Sequence, residues 1–168
     1  MFAHAPREFG KIRVAKSDWP IVLIEFPEKR VTDADLQAVL GYIESLLNEA
    51  VKNKEKVFVI TDLTVMREIT PPSQRQFTAE WIKRTASLNR AASVGGATVT
   101  PSAILRGIIT AVYWLQPSPS PTFPVATRHD AMLKGIEMLE AGSVLLSPRL
   151  IEYRNKHGAG SGRVTTGR

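Results

Sequence analysis

The sequence predicts an α/β domain built on a mixed, mostly parallel sheet, with an N-terminal antiparallel strand and about four helices. Three observations lead there. Short β-branched runs alternate with amphipathic helical stretches of 15–25 residues, a spacing that favours parallel pairing through helical crossovers. The run Val57-Phe58-Val59-Ile60 is apolar at every position, as in a strand covered on both faces. The hydrophobic share of 43% and charged share of 23% are those of a folded globular chain.

Taken in order, Lys11 to Ala15 and Trp19 to Phe26 read as two strands joined by a tight turn at Ser17-Asp18, with Pro27 ending the second. Thr32 or Asp33 then caps a helix whose residues Leu36, Val39, Leu40, Ile43, Leu46, Leu47 and Val51 recur at helical spacing. Lys52, Asn53, Lys54 and Lys56 suit the negative end of its dipole and a helix stop.

After the strand at Val57 to Ile60, Thr70 followed by Pro71 predicts a second helix start, since a hydroxyl caps free amides and proline loses no hydrogen bond there. Phe77, Trp81, Thr85 and Leu88 line one face of it. Val94 to Val99 is the next strand, its Gly95-Gly96 predicting a bulge or close backbone approach. Thr100-Pro101 repeats the cap-then-proline start.

The helix from Ala103 to Leu115 is apolar nearly all round, broken only by Arg106 and Thr110, and such a helix is expected to be covered on more than one side. Four prolines from Pro117 to Pro124 make a stiff connection to a short strand at Phe123 to Ala126. Thr127 with Asp130 then caps a last helix carrying Met132, Leu133, Ile136, Met138 and Leu139, closed by Gly142. The predicted order is ββαβαβαβα, a domain over residues 1–142 followed by a basic tail over 143–168. The tail's glycine-rich end is expected to be flexible.

Composition narrows function. Residues 1–142 carry 17 basic and 15 acidic side chains, whereas residues 143–168 carry five basic and one acidic. The +6 net charge therefore resides mainly in the tail, and the body shows no concentration of cations that would predict specific nucleic-acid binding. The absence of cysteine removes disulfides, thiol nucleophiles and thiolate metal sites. With no apolar leader at Met1 to Glu8 and no uncharged run of about 18 residues, the expectation is a cytoplasmic chain without a transmembrane segment.

Candidate chemistry is sparse. His4, His129 and His157 have no metal-ligand spacing, so neither a metal nor a cofactor is expected. Gly158 to Gly162 imitates a phosphate loop, yet neither strand nor helix frames it. Asp62 is the one carboxylate immediately after a predicted parallel strand, and one carboxylate is not a mechanism. The chain reads as a non-enzyme. Phe77, Trp81, Tyr113 and Trp114 could be read as an aromatic ligand cage, but their helical spacing favours core packing.

The stretch Val57-Phe58-Val59-Ile60-Thr61-Asp62-Leu63-Thr64, followed by a helix opening at Thr70-Pro71-Pro72-Ser73, resembles the STAS superfamily, the anti-sigma-factor-antagonist fold, and within it the small bacterial STAS-like proteins. The order of elements over residues 11–141 resembles that family's pattern more than any one motif does. The resemblance implies a regulatory or scaffolding module that binds a protein partner, with Asp62, Thr64, Thr70 and Ser73 as regulatory or partner-binding residues. It also places Ser73 where the family's phosphorylated serine sits, although Pro71-Pro72-Ser73-Gln74 replaces the Asp-Ser-Ser-Gly signature. Branches of the wider fold resemble lipid carriers, which makes a small apolar ligand the alternative. Finally, Ala103, Gly107 and Ala111 form a small-residue stripe that is a candidate homodimer contact, unless the prolines or Leu145, Leu146 and Ile151 fold back over it.

Overall fold

A computed structural model describes residues 5–68, 70–115 and 117–158, with the side chains of residues 108, 111–113 and 115 left aside. The elements are β1 (Arg7–Phe9), β2 (Ile12–Ala15), β3 (Ile21–Glu25), α1 (Asp33–Lys52), β4 (Val57–Asp62), α2 (Pro72–Arg84), α3 (Ala86–Ala92), β5 (Ser93–Val99), α4 (Ala103–Leu115), β6 (Thr122–Val125), α5 (Arg128–Ala141) and α6 (Pro148–His157). They form an α/β domain on one six-stranded sheet in the order β1-β2-β3-β4-β5-β6. The first three strands are antiparallel neighbours, and β3 through β6 pair in parallel.

Side-chain alternation along the strands divides the core in two. Val22, Ile24 and Val57 meet Leu36, Val39, Ile43, Leu46 and Leu47 of α1, with Phe77 and Trp81 of α2 packed at the margin. On the opposite face Ile21, Phe58, Ile60, Ala97 and Val99 meet Ala131, Met132, Ile136 and Leu139 of α5. Gly135 permits this second contact: a Cβ there would stand 2.8 Å from the Phe58 ring.

Thr32 caps α1 by accepting from the Asp35 amide, and Thr127 caps α5 by accepting from the Asp130 amide, at the expected positions. In α1 the inner position at the C-terminal end belongs to Ala50, while Val51 is exposed. The described residues form six helices rather than about four. The expected second helix divides at Thr85, where the backbone leaves helical angles (φ −93°, ψ 8°) and the hydroxyl joins the amide in donating to the Trp81 carbonyl. The other addition is α6, whose Leu150 is fully buried, so the packed body continues well past Gly142. Arg149 and Arg154 pair with Asp18 and Glu140 respectively, so two of the tail's cations hold it to the body. The glycine-rich end lies outside the described residues.

Two expected caps lie elsewhere. Pro71, not Thr70, occupies the cap of α2 and offers no side-chain bond, and the Ser102 hydroxyl, not that of Thr100, accepts from the Leu105 amide at the start of α4. The expectation that α4 is covered on more than one side is also corrected. Among the described side chains of α4, Ile104 is 79% and Trp114 84% exposed, and the helix packs along β6, a four-residue edge strand. Trp114 is therefore not a core residue, and the side chain of Tyr113 lies outside the described residues. Nor do the tail residues fold back over α4: Leu145 is 93% exposed, and α6 packs on α5.

Candidate functional site

The sequence-predicted residues do not converge on one site. Asp62 ends β4 with its side chain on the α5 face, 4% exposed. One carboxylate oxygen accepts from the Thr64 amide and hydroxyl, and the other accepts from Nε and a terminal nitrogen of Arg128 at 2.9 and 2.6 Å. Arg128 also donates to Glu25 at 2.7 Å. Burial pushes the Asp62 carboxyl up, but the Thr64 hydroxyl and amide and the Arg128 guanidinium together outweigh it, holding it below the ordinary carboxylate range. Every acceptor position of Asp62 faces a donor, which makes it a tie between β4 and α5.

Arg128 was not legible as its partner. The available signal was a cation in the first turn of α5, where the helix dipole disfavours positive charge.

Thr70 and Ser73 belong to the other face of the sheet. Thr70 is half-buried at the approach to α2, and Ser73 is exposed in its first turn. The helix is held to α1 at both ends. Gln74, buried, donates to the Val31 carbonyl at 2.9 Å and to the Asp33 carboxylate at 2.7 Å. At the other end of α2, Glu44 accepts from the Trp81 indole and, in a two-point pair, from Arg84 at 2.9 and 2.8 Å. The Arg84 hydrogen bonds hold the Glu44 carboxyl below its ordinary range despite an opposing contribution from burial.

Between these two ties α2 stands away from the sheet over a cavity of about 920 Å³. Its walls are predominantly apolar: Leu36, Val39, Ile43 and Leu47 of α1, Trp81 and Ile82 of α2, and Ile24 and Val59 of the sheet. Thr61, Thr98 and Thr122 add hydroxyls to the floor, and the Ser118–Ser120 connection closes one end, where Ser120 donates to Asn89 of α3. A concave, mostly apolar space with a few polar groups is the form that small-molecule sites take.

No protein-family model matches this chain, and comparison with curated proteins and with solved structures returns no match. The functional reading therefore rests on the site itself. Among the described residues no group of three or more His, Asp or Glu side chains could hold a metal ion, and no helix is long and apolar enough to cross a membrane. His129 receives Tyr153 and His157 from α6, with 2.7 Å between His129 Nδ1 and the Tyr153 hydroxyl, and so serves helix packing.

Proposed function

We propose that the protein is a non-enzymatic binding domain that carries or senses a small apolar ligand between the sheet and α2. The observation that carries this reading is the apolar cavity of about 920 Å³ beneath a helix tied down at both ends. A concave, mostly apolar space of this size, open on one side, is the form in which proteins bind small apolar molecules. Occupation of Asp62 by Thr64 and Arg128 supports the non-enzymatic part of the reading. The test is organic-solvent extraction of the purified protein followed by mass spectrometry, with Val59→Phe as the control that fills the floor. Wild type should yield a stoichiometric apolar compound and the variant should not. Loss of the compound from neither protein, or its absence from both, overturns the proposal.

A second reading follows the resemblance to the STAS superfamily: a cytoplasmic regulatory module that binds a protein partner and is switched at Ser73. Its supporting observation is that the first turn of α2 has an exposed Ser73, no acidic residue and no side-chain cap. A phosphate there would meet free amides at the positive end of the helix dipole. Equal partner affinity of Ser73→Asp and Ser73→Ala would end this reading. The homodimer belongs to the same proposal: Ala103 and Gly107 are exposed, and a Cβ at Gly107 would meet nothing within 4 Å, so a second helix could approach closely. The side chain of Ala111 lies outside the described residues.

A further inference from the structure

The cavity floor carries a feature that an all-apolar ligand leaves unexplained. Thr61 of β4 and Thr98 of β5 are direct cross-strand partners, and both face the cavity. Their neighbours on the α1 face are aliphatic or glycine, namely Val57, Val59 and Gly96. Valine would fill the same volume with a methyl group and suit a strand equally well. Neither hydroxyl has a hydrogen-bond partner among the described residues, and neither side chain is buried enough to be sealed from the cavity. Both hydroxyls are therefore open to the cavity and free to donate, and two of them at registered positions on a mostly apolar floor give a polar group of a ligand a place to bond.

Both threonines lie near the carboxyl ends of their strands, where parallel sheets receive ligands. The cavity lining at that end includes Lys29, Arg30, Glu68 and Arg75. Arg30 is paired with Glu68, whereas Lys29 and Arg75 have no carboxylate partner among the described residues, leaving an excess of positive charge. Toward the other end Leu47, Val59 and Gly96 give an apolar wall and floor, with the exposed Glu80, Lys83 and Arg90 at the rim on α2 and α3.

We infer that the cavity selects a single-chain amphiphile with a carboxylate head, the head accepting from the Thr61 and Thr98 hydroxyls near Lys29 and Arg75 and the alkyl chain running along Val59 toward Leu47. The inference rests on the reading of the cavity as a ligand site and adds the class of ligand.

The test is displacement of a neutral apolar dye, phenylnaphthylamine, from the full chain by hexadecanoate and by hexadecanol. Wild type should bind hexadecanoate about tenfold more tightly than hexadecanol, the size of one or two charge-assisted hydrogen bonds. The double variant Thr61→Val/Thr98→Val should lose about tenfold for hexadecanoate while binding the dye more tightly, its floor being more apolar. Thr61→Ser/Thr98→Ser keeps both hydroxyls and should restore hexadecanoate binding. Lys29→Gln/Arg75→Gln should narrow the preference for the acid over the alcohol. Equal hexadecanoate affinity in wild type and the valine variant, with the dye bound by both, overturns the head-group assignment and leaves the cavity reading standing. Failure of wild type to bind the dye or either amphiphile overturns both.

Discussion

Asp62 stands at the carboxyl edge of the sheet, where the sequence puts it, and its charged partner comes from a distant part of the chain. At the carboxyl end of β4, where parallel sheets place functional carboxylates, its side chain turns to the α5 face and meets Thr64 and Arg128. Asp62→Asn would leave the Arg128 guanidinium beside a neutral amide at a buried position. We expect a loss of about 2–3 kcal/mol, toward the lower end for a broken buried pair because Arg128 is itself 48% exposed. The pH dependence has a definite sign. The folded-state pKa lies below the unfolded value, so the carboxylate contributes its full stabilisation above about pH 4–5, and that contribution is lost as pH falls through the lower, folded value. Urea midpoints should therefore separate wild type from Asp62→Asn by a constant amount near neutrality and converge below about pH 4. A gap that persists at the acid end would mean that the charge of Asp62 is not what ties β4 to α5.

At the scale of elements, α5 and α6 depend on one close approach and one anchor. Gly135 lets α5 settle on Phe58 and Ile21, so a methyl group added there must push the helix from the sheet. Gly135→Ala should destabilise the protein by about 1–2 kcal/mol in thermal or urea unfolding, overpacking outweighing the gain in helix propensity. If the substitution stabilises instead, α5 does not sit against Phe58 as described. Helix α6 is polar over most of its surface and rests on fully buried Leu150. Leu150→Ala should cost about 2–4 kcal/mol, and truncation after Ser147 should cost at least as much. A melting temperature unchanged by either would return residues 143–168 to the role of a dispensable tail. The same packing explains why α6 was hidden in the sequence: one buried apolar residue in ten leaves no periodic stripe to detect.

For the molecule as a whole, the exposed flank of α4 bears on assembly. Ala103, Gly107 and Ile104 are exposed on α4, and the proposed homodimer would bury them twice about a two-fold axis. The native protein should then sediment as a dimer at ~100 micromolar, above the dissociation constants of ordinary specific complexes, and Gly107→Glu should sediment as a monomer. A monomeric wild type at that concentration removes the interface.

The order and type of the principal elements were determined by the sequence alone, because alternation and helical periodicity are local properties. α1 was legible from its seven-residue apolar stripe, and β4 from a run apolar at every position. β1 was not, since Arg7-Glu8-Phe9 is short and charged, and it is a strand only because β2 pairs with it through the turn at Gly10. The partnership of Asp62 with Arg128, 66 positions apart, and the anchoring of α2 by Gln74 and Glu44 were decided by the tertiary structure. So was the cavity. An apolar stripe reads the same whether the facing elements touch or stand apart, and a concave volume between elements is set by where they come to rest, which no local pattern in the chain records.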